Sequence, residues 1–322
     1  MRARVATAVC ALALALAGCG SSSAPPPSVA IPPVDAQPSG AQEVTTTPGA
    51  ANTDCGDREA SLRPGPLPAP GAMPPGSTMA KIAERGRLVV GVDQNTEPFG
   101  FRDPATGQLE GFDIDVAREI ARAIFGDPDR MDLRVVEAGH REDALRSGEV
   151  DVVVRTYSIT CERKKLVAFS TTYFNANQKI LAVKGSGIDS AAALAGKRVC
   201  AAKGTTSLKA LLALESKPTV VAVTSWTDCL VMLQQGQVDA ISTDDSVLAG
   251  LKRQDPNVEV VGESIAVEPY GVGIKLENDD LVRFVNGILD QMRTDGTWNA
   301  LYDKDLRALG PRPAPPTPRY ED

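Results

Sequence analysis

Short apolar runs alternate with segments of helical periodicity through the first half of the folded part of this chain. The apolar runs are rich in β-branched residues, which is typical of buried strands. The predicted strands lie at 87–93, near 132–137 and at 151–155, and helical spacing appears between them at 113–125 and near 141–148. Strands that alternate with helices in this way predict an α/β fold with mostly parallel sheets.

The second half of the chain repeats this pattern. At 322 residues the chain is long enough for two ordinary domains. The further predicted strands are 178–183, 198–202, 220–224 and 239–242, and the further predicted helices are 206–214, 227–235 and 279–294.

The N-terminus has the pattern of an export signal. Arg2 and Arg4 precede an apolar run at 5–17, which is too short to span a bilayer as a mature helix. The run ends in Leu-Ala-Gly-Cys19, which resembles a bacterial lipobox. That resemblance implies that residues 1–18 are removed and that Cys19 carries a lipid, with an ordinary signal peptide as the alternative.

Two other segments have little apolar periodicity. Residues 20–78 contain 13 of the 24 prolines, so we expect 19–78 to be an extended, lipidated tether. The Pro-rich segment 311–322 is expected to be a disordered tail.

Composition argues against several functions. The net charge of −7, the absence of a basic block and an aromatic content of 4% make a nucleic-acid partner unexpected. A catalytic relay or histidine metal site would depend on the single histidine, His140, which we interpret as a surface residue. No phosphate-binding glycine motif is present, so neither a cofactor nor enzymatic activity is expected.

Four cysteines remain after Cys10 leaves with the signal peptide and Cys19 is lipidated. They are Cys55, Cys161, Cys200 and Cys229. None are at metal-ligand spacing, so no metal site is expected. In an oxidising compartment they can form disulfides, and the sequence alone leaves all three pairings open.

The segment 151–170 carries the most informative chemistry. A buried strand opens into a hydroxyl-rich turn with Thr156, Ser158 and Thr160, and Arg163 follows. Hydroxyls and a guanidinium can hold a carboxylate through charge-assisted hydrogen bonds. A turn followed by a solvated Arg-Lys-Lys face is the alternative.

A second motif, Gly-Phe-Asp-Ile-Asp at 111–115, begins a predicted helix. Asp113 is interpreted as the N-cap and Asp115 as a first-turn acidic residue, which the helix dipole favours. We therefore expect these carboxylates to cap the helix rather than to perform acid–base chemistry.

Together the two motifs resemble the amino-acid-binding proteins of bacterial uptake systems, the family 3 solute-binding proteins, and in particular their actinobacterial glutamine/glutamate-binding lipoproteins. The resemblance covers residues 80–308. It implies a type II periplasmic-binding-protein fold with two hinge crossovers. Lobe 1 would comprise 79–176 and 267–310, and lobe 2 would comprise 177–266.

The resemblance also implies a ligand site between the lobes. Its expected members are described by role: a carboxylate clamp, an ammonium partner, further carboxylate contacts, first-lobe contacts and side-chain cations. In that order they are Arg163 with Ser158 and Thr156; Asp244; Gly204 and Thr206; Asp93 and Phe99; and, among the cations, Arg141. Arg155 and Lys203 are two further cations close to the expected pocket. Phe99 as ordinary core, and the three cations as surface charges, are the alternatives.

Members of the resembled family also imply a Cys200–Cys229 disulfide, which leaves Cys55 and Cys161 to pair with each other. The expected protein is a monomeric, lipid-anchored extracytoplasmic receptor at the cell membrane. It would bind glutamate, aspartate or their amides and deliver them to an ABC permease. A ligand sensor for a membrane signalling protein and a dehydratase on the same fold are the alternatives.

Overall fold

The computed structural model describes residues 37–45 and 54–322. The expected signal peptide and the lipidation site at Cys19 lie outside the described residues. Within the described part of the chain, no helix is both long and apolar enough to cross a membrane.

The described elements follow the alternating pattern. The strands are β1 Gln42–Val44, β2 Leu88–Val92, β3 Asn95–Thr96, β4 Gly100–Arg102, β5 Leu109–Glu110, β6 Met131–Val135, β7 Val152–Val153, β8 Val167–Phe169, β9 Phe174–Val183, β10 Arg198–Ala202, β11 Thr219–Val223, β12 Ala240–Asp244, β13 Val258–Tyr270 and β14 Gly273–Lys275. The α-helices are α1 Thr78–Arg85, α2 Phe112–Phe125, α3 Arg141–Ser147, α4 Cys161–Lys164, α5 Thr206–Leu212, α6 Trp226–Gln234, α7 Asp245–Gln254, α8 Asp279–Asp295 and α9 Thr297–Leu301.

Lobe 1 is built on a five-stranded sheet in the order β6-β2-β7-β14-β8. The strand β2 is parallel to β6 and β7, whereas β14 is antiparallel to β7 and β8. Helix α2 covers this sheet because Phe112, Val116, Ile120 and Ile124 form one buried stripe at helical spacing. Their burial beside α8 forms a continuous apolar core.

Lobe 2 is built on a six-stranded sheet in the order β1-β11-β10-β12-β9-β13. The strand β10 is parallel to β11 and β12, and the remaining pairs are antiparallel. This sheet has a separate apolar core. Both sheets are therefore mixed: β14 forms the antiparallel pairs in lobe 1, and β1, β9 and β13 take part in those of lobe 2.

Those crossing strands are β9 and β13, which pair antiparallel from Phe174 with Tyr270 to Val183 with Val258. Their first-lobe ends join the core of lobe 1, and their other ends complete the sheet of lobe 2. The predicted α/β fold, with two helix-flanked sheets joined by two crossovers, is confirmed, but the two sheets are mixed rather than mostly parallel as expected.

The structure differs from the expected tether over residues 54–78. Ala60 and Ser61 are buried, and the side chain of Leu67 packs directly over Gly287 of α8. The Asn286 amide donates to the Ser61 hydroxyl and to the Leu62 carbonyl. Leu62, Leu67 and Met73 of this segment pack against the apolar core of lobe 1.

The C-terminal segment 311–322 also differs from the expected disordered tail. Tyr320 forms a parallel bridge with Ser61, and the backbone N–H of Arg63 donates to the Asp322 carboxylate at 2.6 Å. The tail is therefore held by the same N-terminal segment that packs on lobe 1.

Both disulfides implied at the sequence level are present. Cys200 bonds to Cys229 and joins β10 to α6 within lobe 2, while Cys55 bonds to Cys161 at the start of α4. The second bond closes a loop with a sequence separation of 106 residues. It fixes the N-terminal segment beside the hydroxyl-rich turn.

Candidate functional site

A polar cleft lies where the two lobes meet. Lobe 1 contributes the turn after β7, the helix α4 and the start of α3, and lobe 2 contributes the ends of β10 and β12. The lining residues are Arg141, Arg155, Thr156, Ser158, Arg163, Thr205, Thr206, Ser207, Trp226, Thr243, Asp244 and Val247.

Arg163 enters this cleft from lobe 1 with its guanidinium held on several sides. Its Nη1 donates to the Ser158 carbonyl at 2.7 Å, and its Nε lies 3.2 Å from a carboxylate oxygen of Glu142. The guanidinium also lies over the ring of Tyr157, 4.9 Å from the ring centre. Thr160 is the N-cap residue of α4, and its side-chain oxygen accepts a hydrogen bond from the Arg163 backbone N–H. This cap fixes the first turn of the helix and therefore the direction in which the Arg163 side chain leaves it.

Asp244 enters the same cleft from lobe 2, at the end of β12. It accepts a 2.5 Å hydrogen bond from the Tyr270 hydroxyl and a 3.4 Å bond from the Ser207 hydroxyl. Burial raises the pKa of Asp244 to about 8, and the negative charge of Glu268 adds to that rise. Among the described residues Asp244 forms no ion pair.

The side chains of Asp244 and Asp245 have different partners. The Asp244 backbone occupies the N-cap position of α7, but its side chain makes no capping bond. Asp245 instead accepts hydrogen bonds from the backbone N–H groups of Ser246 and Asn177. Asp245 therefore makes the hydrogen bonds to the local backbone, and Asp244 lines the cleft.

Asp113 does not cap α2, so that expectation is wrong. Gly111 is the N-cap residue, and the Asp113 carboxylate accepts from the Thr156 backbone N–H at 2.8 Å and from the Tyr173 hydroxyl at 2.7 Å. Burial raises the pKa of Asp113 to about 6. The motif carboxylate therefore supports the cleft turn from behind.

Asp115 of the same motif has a different environment. It pairs with Arg118 on its own helix and with Lys304 near the C-terminus of lobe 1. Its partners thus lie along α2 and the C-terminal part of lobe 1.

Thr156 has an unusual backbone. Its φ of +40° lies in the left-handed region, which costs a residue with a side chain more than it costs glycine. The bond to Asp113 holds this conformation and directs the turn into the cleft.

Two further arginines lie behind Arg163. Arg155 forms a buried ion pair with Asp93 at 2.7 Å. Arg141 donates to the carbonyl oxygens of Ala138 and Gly204, but it forms no ion pair with any carboxylate of the described residues. Burial, together with Arg163 and Arg155, lowers the pKa of Arg141 to about 9.

The loop that contains Gly204 contacts lobe 1 directly. Gly204 has a φ of +71°, and a Cβ there would lie 2.4 Å from the Gly139 Cα of lobe 1. Its carbonyl oxygen accepts from Arg163 at 3.0 Å and from Arg141 at 3.2 Å. Two residues further along the chain, the Thr206 hydroxyl donates to the Glu268 carboxylate on β13 at 2.9 Å.

The structure brings most of the predicted site residues together. Those that line the cleft are Arg141, Thr156, Ser158, Arg163, Thr206 and Asp244. Gly204 contacts the cleft residue Arg163 through its carbonyl oxygen. Asp93 forms an ion pair with Arg155, which lines the cleft.

Two predicted residues lie elsewhere. Phe99 is fully buried among Phe112, Phe174 and Tyr270. It is therefore a core residue, which was the alternative to a ligand contact. The Lys203 ammonium turns away from the cleft and donates to the Gly40 carbonyl at 2.6 Å, because the N-terminal segment lies beside it.

Sequence reasoning missed several members of the site. Glu142 orients Arg163, Tyr157 lies under both Arg141 and Arg163, and Glu268 lies near Asp244. Trp226 adds an aromatic wall from the first turn of α6. Only Tyr157 gave a usable signal, as an aromatic residue inside the hydroxyl-rich turn.

Comparison with known proteins gives a class of protein that agrees with the two-lobed fold and its polar cleft. Residues 88–307 match the bacterial extracellular solute-binding proteins, family 3, and the chain belongs to this family. The match covers both crossing strands and every strand of the two large sheets except β1, but not the N-terminal segment or the tail.

Among similar curated proteins is the ABC transporter glutamine-binding protein GlnH of Bacillus subtilis, 36% identical over 231 residues, which are 71% of this chain and 85% of that protein. A glutamine-binding protein of Geobacillus stearothermophilus is 40% identical over 198 residues, 61% of this chain and 76% of that one.

Solved structures share the fold. An ancestral arginine-binding protein bound to glutamine is 36% identical, with a TM-score of 0.64 and coverage of 69% of this chain and 98% of that one. The solute receptor for L-cysteine of Neisseria gonorrhoeae is 29% identical, with a TM-score of 0.69 over 72% and 95% of the two chains.

Proposed function

We propose that this protein is an extracytoplasmic receptor that closes on one free amino acid. The observation that carries this proposal is the placement of Arg163 and Asp244 on opposite lobes of one cleft. A guanidinium matches an α-carboxylate, and a buried carboxylate matches an α-ammonium. A zwitterion that bridges the two groups favours the closed arrangement by its differential contacts.

The cleft favours an acidic side chain on that ligand. Arg141 is a buried guanidinium whose described partners are carbonyl oxygens and the Tyr157 ring, so no carboxylate of the described residues pairs with it directly. A second carboxylate would compensate it, whereas an apolar or basic side chain would not. We infer glutamate or aspartate as the preferred ligand, with their amides next, and relatives named for glutamine support this range.

Binding rather than catalysis is the proposed role. His140 lies on the surface, with 55% of its side chain exposed and Glu149 at 3.6 Å. The ordered arginines and hydroxyls of the cleft suit recognition of a charged solute. Delivery to an ABC permease is inferred from the named relatives, and attachment to the membrane is inferred from the lipobox at Cys19.

The test is a calorimetric titration of the purified protein with glutamate, aspartate, glutamine, asparagine, arginine and leucine. We expect glutamate or aspartate to bind most tightly, and leucine and arginine at least about 100-fold more weakly, since an unpaired buried charge costs several kcal/mol. Tightest binding to arginine or leucine would contradict the proposal.

A matched pair of variants isolates the side-chain subsite. Arg141→Met should lower the affinity for glutamate more than that for glutamine. Lys203→Met, which removes a cation outside the cleft, should leave their ratio unchanged.

A further inference from the structure

The element that carries Arg163 is very short. Helix α4 spans only Cys161–Lys164, and a single helical turn is marginal on its own because few hydrogen bonds offset the cost of ordering its backbone. The position of the Arg163 side chain therefore depends on what holds this turn against the rest of lobe 1.

Residues 54–63, which precede the family match, hold both ends of α4. At the first residue of the helix, Cys161 is covalently bonded to Cys55. At its last residue, the Lys164 ammonium donates to the Ala60 carbonyl at 2.8 Å. The two attachments lie on either side of Arg163, so a shift or rotation of α4 would move the N-terminal segment or break one of them.

This N-terminal segment is itself fixed to lobe 1. Ser61 is buried, and its hydroxyl donates to the Phe169 carbonyl of β8 at 2.7 Å. The fully buried Asn286 of α8 donates to the Ser61 hydroxyl at 2.9 Å and to the Leu62 carbonyl at 2.7 Å. Residues 54–63 therefore connect α4 to α8, whose apolar side chains are part of the core of lobe 1.

These attachments differ from the contact that Arg163 makes across the cleft. The Gly204 carbonyl oxygen, which accepts from the Arg163 guanidinium at 3.0 Å, belongs to lobe 2. Both attachments to residues 54–63 lie on lobe 1 and do not depend on the approach of lobe 2. An arginine that is ordered before the ligand arrives loses less conformational freedom on binding, which increases affinity.

We propose that Cys55 is a positioning residue: through its bond to Cys161 it holds α4, and with it Arg163, in the orientation that receives the α-carboxylate of the ligand. Lys164 provides the second attachment, at the other end of the helix. Cys55 does not itself line the cleft and acts through Arg163. This inference rests on the proposed function, because that function assigns Arg163 to the ligand carboxylate.

The experiment removes one disulfide at a time. The double variant Cys55→Ala/Cys161→Ala releases α4, and Cys200→Ala/Cys229→Ala removes the disulfide within lobe 2 as the matched control. Amide hydrogen exchange without added amino acid is measured at 163–166, whose backbone N–H groups form the hydrogen bonds of this turn. We expect faster exchange there in the first variant than in the control or the wild-type protein.

Ligand affinity is the readout that a loss of stability alone would not change. Calorimetry well below the unfolding temperature of each variant gives the dissociation constants for glutamate and glutamine. We expect Cys55→Ala/Cys161→Ala to bind both ligands about fivefold more weakly, because the variant must order one more side chain on binding. Both affinities should fall by the same factor, since Arg163 contacts the α-carboxylate that the two ligands share. The control variant should retain the wild-type affinities.

A second pair of variants keeps the test decisive if the cysteine variant does not fold. Lys164→Met removes the attachment to Ala60, whereas Lys165→Met removes the adjacent, exposed ammonium. The first should exchange faster at 163–166 and bind both ligands more weakly than the second. Exchange or affinity that is equal within a matched pair of folded variants would overturn the positioning role. If the wild-type protein binds neither amino acid, the proposed function fails, whereas exchange at 163–166 still decides whether Cys55 holds α4.

Discussion

At the scale of single residues, Asp244 has the most consequential environment. Its carboxyl is buried beside Glu268, and its raised pKa of about 8 means that it carries a proton through much of the neutral range. An ammonium placed against it favours the ionised form and lowers its pKa. Binding of the proposed ligand is therefore coupled to the loss of a proton.

The coupling has a definite sign. At pH 7 we expect most of one proton to be released per amino acid bound, and the affinity to increase as the pH rises toward 8. Calorimetric titrations at pH 7 in buffers of different ionisation enthalpy measure this number. Glu268→Gln removes the neighbouring charge and should reduce the release, while proton uptake or no exchange would contradict the assignment of Asp244.

Single residues also show where sequence reasoning ends. Arg163, Ser158 and Asp244 were expected in the site from the resemblance to the family, and all three line the cleft. Asp113 was misassigned as a cap because its partners, Thr156 and Tyr173, are 43 and 60 residues away in the chain. A side chain that hydrogen-bonds over such a separation gives no periodic signal.

At the scale of elements, the loop between β10 and α5 controls how closely the lobes approach. Gly204 faces Gly139 with no room for a Cβ between them. A comparable contact occurs at Gly250 of α7, where a Cβ would lie 1.9 Å from the Glu97 carbonyl oxygen of lobe 1. Both glycines permit a contact between lobes that a larger residue would prevent.

Gly204→Ala should therefore weaken glutamate binding by at least about tenfold, which corresponds to about 1.4 kcal/mol. The matched control is Gly236→Ala. Its φ of +70° imposes the same backbone strain, but nothing lies within 4 Å of its Cβ position. Calorimetry provides the affinities and thermal unfolding provides the stabilities. An equal loss of affinity in the two variants would show that the contact with Gly139 has no role in closure.

Elements with regular periodicity were predictable. The strand at 198–202 was placed at its observed bounds, and α2 within one residue. The segments 54–78 and 311–322 were not, because prolines and isolated apolar residues pack without a repeating pattern. The three-residue strand β1 was also missed, since Gln-Glu-Val is too short and too polar to resemble a strand.

At the scale of the whole molecule, the cleft combines one ionisable side chain from each lobe. Arg163 lies on α4 of lobe 1 and Asp244 at the end of β12 of lobe 2, and the paired strands β9 and β13 join the two lobes. The resemblance to the family implied this division into two lobes. The approach of the two walls was not predictable, because it depends on contacts such as Gly204 with Gly139 that join distant parts of the chain.

The central claim is that one amino acid bridges Arg163 and Asp244. Its most direct test is calorimetric titration of glutamate into the wild-type protein, Arg163→Ala and Asp244→Asn, with circular dichroism to verify folding. We predict that each variant remains folded and loses affinity by at least about 100-fold, because each leaves one ligand charge buried without its partner. Glutamate binding within threefold of wild type in either folded variant would contradict the account.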